Sequence, residues 1–251
     1  MLLTSSLRTE SDYKYNCRVK IYPNGTQKIT AFSRGIFNPD GYALLGIEDK
    51  PKRERSEVSL IRSDSIKRSK EKVFDIAFAN VDCWKYFVTL TLNDEKISRT
   101  DPKEISQKLK KFFNNAVQRK KLMYVIVPEY HKDNKSIHFH GLINDCGFKF
   151  IDSGIRDKNG RIVYNIPDWS FGFTTATEIE NPESACKYTT KYLSKDIENR
   201  PLSNFYYAGG HGLKREIETY YTHVDFDDVD APALDVPNTN FKVKYVTVGL
   251  L

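Results

Sequence analysis

The sequence predicts an α+β chain in which an antiparallel sheet is backed by helices. Three observations carry that prediction. Short apolar runs bounded by polar links recur, among them Tyr86 to Leu92, Leu122 to Glu129 and Ile137 to Ile143. The last two are joined by His131-Lys132-Asp133-Asn134-Lys135-Ser136, a polar link of hairpin length. Between the first and second lies a helix with its own start signals. Asp101 stands at its N-cap, Pro102 opens it, and Glu104 is placed for a capping box. Ile105, Leu109, Phe112, Phe113, Ala116 and Val117 then recur at helical spacing, so one face packs on a sheet. The order is strand, helix, strand, strand.

The remaining elements follow in turn. Arg18 to Ile21 and Lys28 to Phe32 flank Pro23-Asn24-Gly25, a hairpin signal that makes residues 1–48 an accessory ribbon. A basic linker and a helix near Ser63 to Asn80 fill 49–82. Residues 83–224 form the main domain. In it, Phe150 to Ile166 is a polar excursion turning at Asn159-Gly160, and Trp169 to Ala176 is a further strand. A last helix starts at Asn181, with Pro182 in its first position and Glu183 in its first turn. Residues 225–251 are an acidic carboxy-terminal segment with a final strand.

The bulk properties narrow the class. A chain of 251 residues with net charge +6 buries a sizeable core and attracts polyanions. The charge is uneven. Lys50 to Lys72 holds nine Lys/Arg against four acidic residues, which suits a DNA-contacting arm or a solvated linker and helix. Asp225, Asp227, Asp228, Asp230 and Asp235 have no base among them and read as a flexible tail. Cys17, Cys83, Cys146 and Cys186 are scattered without a Cys-x-x-Cys, which argues against a zinc scaffold or disulfides and for reduced thiols in a cytoplasm. No segment reads as a membrane span or signal peptide. No Gly-x-x-x-x-Gly-Lys-Ser/Thr loop is present, so the sequence carries no helicase motor motif.

The chemistry concentrates in three places. In Ile137-His138-Phe139-His140, alternation puts both imidazoles on one strand face. Such a pair is a metal chelate or, failing that, two hydrogen-bonded core histidines. Glu129 ends the preceding apolar strand and is either a third, oxygen ligand or a solvated strand end. The run Lys187-Tyr188-Thr189-Thr190-Lys191-Tyr192-Leu193-Ser194-Lys195 repeats Tyr-x-x-Lys twice, with Tyr188 and Tyr192 on one helix face. It reads as two nucleophile candidates beside phosphate-holding lysines, or as an amphipathic helix with tyrosines packed inward.

Taken in order, a threonine-bearing apolar strand (Tyr86 to Leu92), a His-hydrophobic-His strand and a Tyr-x-x-Lys helix resemble the HUH endonucleases. Within them the chain is similar to the two-tyrosine rolling-circle replication initiators of small phages and plasmids, over roughly Lys85 to Lys195. The resemblance implies a ferredoxin-like or RRM-like sheet with the tyrosine helix across its metal-bearing face. It implies that His138, His140 and Glu129 bind Mg2+ or Mn2+. Tyr188 and Tyr192 would be the nucleophiles, with Lys191 and Lys195 positioning the phosphate. The implied reaction nicks single-stranded DNA at a replication origin, leaving a 5′-phosphotyrosyl link and a free 3′-hydroxyl. A host helicase and polymerase would be partners, in the cytoplasm of a bacterial cell, with no membrane involved. His131 is a weak general-base candidate and more simply a loop residue. Two other readings stand beside this one. One is a transposase or relaxase using the same chemistry; the other is a non-catalytic DNA-binding repressor of the same fold.

Overall fold

A computed structural model describes residues 14–37, 58–133, 135–194, 201–236 and 239–249. Lys195, the amino-terminal start and most of the basic linker lie outside the described residues. The chain is α+β, with two antiparallel sheets and three helices among the described residues. It divides into two compact units. One comprises Met1–Glu54 with Glu216–Leu251, the other Arg55–Arg215. Set beside the four segments expected from sequence, the helix before residue 80 falls with the histidine strand. Residues 216–224 fall with the amino-terminal ribbon.

The first unit is a five-stranded sheet built on the expected hairpin, β1 (Lys14–Ile21) and β2 (Gln27–Phe37). Gly25 takes a positive φ of 80° in the turn, where a side chain would be strained. Three later strands complete the sheet: β10 (Glu218–Thr222) beside β1, β12 (Lys242–Val248) beside β2, and β11 (Leu234–Asp235) at the edge. The acidic segment is therefore not a loose tail. Lys244 is buried, and its ammonium donates to the carbonyls of Phe226, Asp227 and Val229 at 2.9, 3.4 and 2.8 Å. Asn16 closes the other end, exchanging two hydrogen bonds with the Val224 backbone. A buried cation needs acceptors, and this loop supplies backbone ones.

The second unit carries a seven-stranded sheet in the order β6-β7-β8-β3-β5-β4-β9. It begins with helix α1 (Val58–Ala79) and a short 3-10 turn (Val81–Cys83). Strand β3 (Trp84–Thr91), helix α2 (Pro102–Lys120), β4 (Tyr124–Tyr130) and β5 (Ile137–Asn144) follow. Two strands the sequence hides come next. Phe150 to Ile166, expected as a polar excursion, holds the hairpin β6 (Ile151–Arg156) and β7 (Ile162–Asn165), turning at Asn159-Gly160 as expected. Its polarity reflects an exposed ladder, since five of the six β6 residues are exposed. Strand β8 (Thr174–Glu178) starts later than Trp169, whose ring is buried. Helix α3 (Pro182–Lys191), a 3-10 turn (Tyr192–Ser194) and β9 (Tyr207–Gly209) end the unit. The order β3-α2-β4-β5-…-β8 starts like a β-α-β-β-α-β chain, with the β6-β7 hairpin in the place of the second helix.

The two sheet faces are specialised. Tyr86, Val88, Leu90, Tyr124, Ile126, Ile137, Phe139 and Ile143 point to one face, where α2 covers them with Ile105, Leu109, Phe113 and Ala116. Each fully buried large apolar side chain contributes about 1.5–3 kcal/mol, so this layer dominates the unit's stability. Asp101 caps α2 as expected, accepting from Lys103 and Glu104 N–H at 2.8 and 3.3 Å. The return half of the capping box is taken by Ser98, whose hydroxyl accepts from Asp101 N–H at 3.0 Å. The opposite face carries the even-numbered side chains of β5, and α3 lies across it over β3, β4 and β5.

Gly141 of β5 lies hard against the β4 backbone. A Cβ built there would lie 1.9 Å from the Val125 carbonyl oxygen, which is rigid backbone. Gly141→Ala is expected to cost about 1–3 kcal/mol by forcing the two strands apart. Asp101→Ala is expected to cost about 1 kcal/mol through the lost cap. Denaturant melts measure both, and an unshifted midpoint for Gly141→Ala would reject the close approach.

Candidate active site on the histidine face

Register assembles the site. In the β4-β5 pair Glu129 stands directly opposite His138, and in the β3-β5 pair Thr89 stands opposite His140 and Thr91 opposite His138. Directly opposed residues share a sheet face, so these side chains converge on one side. The hairpin that makes this register is tied by Asp133. Its carboxylate accepts from Lys135 N–H, Ser136 N–H and the Ser136 hydroxyl, at 2.9, 2.8 and 2.5 Å. Those bonds hold its pKa far below the usual carboxylate range, so the loop stays tied at any ordinary pH.

The structure brings together five of the predicted residues. His140 Nε2 lies 3.1 Å from Glu129 Oε2, with both side chains largely buried. His140 Nδ1 lies 3.1 Å from the Thr89 hydroxyl. With Nε2–H donating to Glu129, Nδ1 accepts from Thr89. A ring whose Nε2 faced a cation would instead carry its proton on Nδ1 and donate to Thr89. A hydroxyl serves either state, because it is both donor and acceptor. The His138 and His140 ring centroids are 6.4 Å apart. Among the described residues His138 Nε2 has no hydrogen-bond partner although the atom is buried, as a ring nitrogen kept for a ligand would be. Burial lowers the His138 pKa first, and the electrostatics of His131 and Arg99 lower it further.

The tyrosines stand over this face. Asn181 caps α3, its side-chain oxygen accepting from Ser184 N–H at 2.8 Å, and Cys186 and Thr189 bury the helix's inner side. Tyr192, in the turn that ends the helix, stacks flat on His140 with ring centroids 4.1 Å apart and 12° between planes. Burial raises its pKa most, with a hydrogen bond to the Tyr188 hydroxyl and the charges of Tyr188 and Glu129 adding to the rise. Tyr188 lies edge-on to Tyr192 at 5.3 Å and to Phe87 at 5.3 Å, and is 48% exposed. Lys191 is exposed, with its ammonium 5.8 Å from the centre of the Tyr188 ring. The sixth described candidate is thus at the rim of the cluster, and Lys195 lies outside the described residues.

A divalent cation fits by donor chemistry, with two imidazoles, one carboxylate and no thiolate. The arrangement is not closed around an ion. Among the described residues no group of three His, Cys, Asp or Glu side chains is poised to hold one. Sequence reasoning gave no site role to two neighbours, Thr89 and Arg99. Thr89 is visible in the sequence only as a threonine in an apolar strand. His131, a weak general-base candidate and loop residue by sequence, lies in the loop and stacks on His138 at 4.5 Å. Arg99 precedes α2 with no motif around it, yet its charge is felt at His138. The glycine-rich turn Gly209 to Gly212, followed by Lys214 and Arg215, is tied down by side-chain to backbone bonds. Lys214 exchanges two backbone bonds with the Asn80 side chain, and Arg215 Nη2 donates to the Ala208 carbonyl at 2.6 Å.

The unequal environments of the tyrosines make a prediction. Limited nitration, which attacks the phenolate, is expected to label Tyr188 before Tyr192. Peptide mapping reads the order, and equal labelling would contradict the stacked, covered Tyr192.

Comparison with known proteins adds an independent observation. Residues 85–197 match a family model described as replication-associated protein ORF2. The phasyl DNA replicon protein arp of Escherichia coli is 32% identical over 130 residues, which cover 45% of this chain and 44% of that protein. The chain therefore spans less than half the length of that relative. No solved structure matches. Among the described residues no helix is long and apolar enough to cross a membrane. The matched segment opens in β3 and closes just beyond Tyr192, so it contains both histidines, Glu129 and both tyrosines. These likenesses support a replication initiator.

Proposed function

We propose that the chain is a metal-dependent, site-specific nickase and strand transferase of the HUH type, which starts rolling-circle replication on single-stranded DNA. The observation that carries this reading is the convergence of His138, His140 and Glu129 beneath Tyr188 and Tyr192 on one sheet face. His138, His140 and Glu129 would hold Mg2+ or Mn2+, which when bound polarises the scissile phosphate. Thr89 fixes the His140 ring through Nδ1. A tyrosine oxygen bonds to phosphorus as the P–O3′ bond breaks. The tyrosine gives up its proton, and the departing 3′ oxygen takes one up. The phosphodiester is exchanged rather than lost, so the same chemistry in reverse rejoins strands. Lys191 and Lys195 would offset the phosphate's charge. With two tyrosines at hydrogen-bonding distance, a strand end can pass from one to the other. The origin DNA, a host helicase and a host polymerase, in a bacterial cytoplasm, are the partners this function needs.

The test is incubation with single-stranded DNA of its own replicon, with manganese or with chelator, read on a denaturing gel. A metal-requiring covalent protein-DNA band is expected. His138→Ala and His140→Ala should lose cleavage by at least the roughly 10–100-fold that even outer-shell partners of a metal cost, while keeping most DNA binding. A variant that nicks normally with magnesium would reject the metal ligands. Tyr188→Phe combined with Tyr192→Phe should leave no adduct at all. Tight binding without any adduct in the native chain would replace this reading by a non-catalytic DNA-binding one.

A further inference from the structure

Phe173 is 72% exposed, the most exposed large apolar side chain among the described residues. It is not loosely held. Residues 171–173 run beside the end of β3, with Thr91 N–H donating to the Phe173 carbonyl at 2.8 Å and Asn93 N–H to the Phe171 carbonyl at 2.9 Å. Trp169 Nε1 adds a bond to the Thr91 carbonyl at 2.9 Å. Gly172 permits the approach, because a Cβ there would fall 2.2 Å from the Thr91 oxygen. The backbone bends at Gly172, so Phe171 enters the core, where it meets Trp169 at 5.1 Å, while Phe173, opposed to Thr91 in continuation of the β3-β8 register, lies on the other face.

That other face is the histidine face. The register gives one row across the sheet: Phe173, Thr91, His138, Glu129. Two strand spacings separate Phe173 from His138, about 10 Å. That span is of the order of the reach from a backbone phosphate to a neighbouring base. The adjoining row places exposed Thr175 beside Thr89 and His140, so the floor between Phe173 and the histidines is made of threonines. A phenyl held out on a clamped backbone leaves its apolar face in water, which costs hydrophobic free energy. A flat apolar face beside a site that would handle phosphate, on a chain of net charge +6, suits one ligand chemistry. An unpaired base stacks on an aromatic ring while its phosphate is held by cations.

We propose that Phe173 is a stacking platform for one unpaired base flanking the phosphate at the histidine site, and so positions the strand. This rests on the single-stranded DNA reading above. The chain carries its own controls, since Trp84 and Trp169 are buried. Phe173→Trp therefore adds the one exposed tryptophan among the described residues. In chelator, oligothymidylate is expected to quench that tryptophan. Phe173→Ala should bind oligothymidylate about tenfold more weakly, with Phe173→Tyr restoring affinity and Phe173→Leu failing to. Thermal stability should be the same in all four variants. Unchanged affinity in Phe173→Ala, or bound DNA without quenching, overturns the proposal. Quenching that grows with protein concentration and no DNA also overturns it, since a second copy would then cover the ring. The two readings fail separately. Nicking without quenching removes the platform and keeps the nickase, whereas quenching without any covalent adduct keeps the platform and removes the nickase.

Discussion

The register of β5 between β3 and β4 is the constraint on which the site depends. Side chains alternate with a period of two, so slipping β5 by one residue would bury His138 and His140 and expose Phe139. Three features resist that slip. Phe139 and Ile137 are fully buried under α2. Gly141 fits against the Val125 carbonyl of β4, where a side chain would collide. The Asp133 cap fixes the hairpin link one turn away. The hydrophobic layer on one face thus fixes the geometry of the polar cluster on the other. The cluster need not contribute stability of its own, which leaves, among the described residues, an orphaned ring nitrogen and a phenol stacked on a histidine.

Electrostatics on the histidine face is built from few groups. Glu129 is the one carboxylate the register aims at both imidazoles. Its carboxylate lies 3.1 Å from His140 Nε2, close enough for one cation to be shared by both. A largely buried carboxylate needs such a partner. Thr89 keeps His140 oriented in both states, because its hydroxyl reverses its role when the ring changes tautomer. The tyrosines differ for a similar reason. Tyr192 is boxed in by His140, Phe87 and Tyr188, whereas Tyr188 faces outward.

Much of the arrangement is legible in the sequence, and the reasons are local. Asp101-Pro102 and Asn181-Pro182 start their helices because capping acts within a few residues. Alternation puts His138 and His140 on one face without knowledge of the fold. The β6-β7 hairpin is hidden because an exposed ladder lacks an apolar period. The acidic segment near Asp225 reads as a tail because its restraint comes from Lys244, a residue distant in sequence and with no local signature.

The chemical groups and their short-range spacing are written in the chain itself: two imidazoles two apart, two phenols four apart, a carboxylate ending an apolar strand. These follow from strand and helix periods, which are properties of the local backbone. Which groups meet is a matter of tertiary packing. That Glu129 faces His140, that Thr89 and His131 join the histidines, that Tyr192 covers a ring while Tyr188 stays open, and that Phe173 shares a row with His138 all depend on strand order and on how α3 crosses the sheet. Those are set by contacts between segments far apart in the chain, and no local period encodes them.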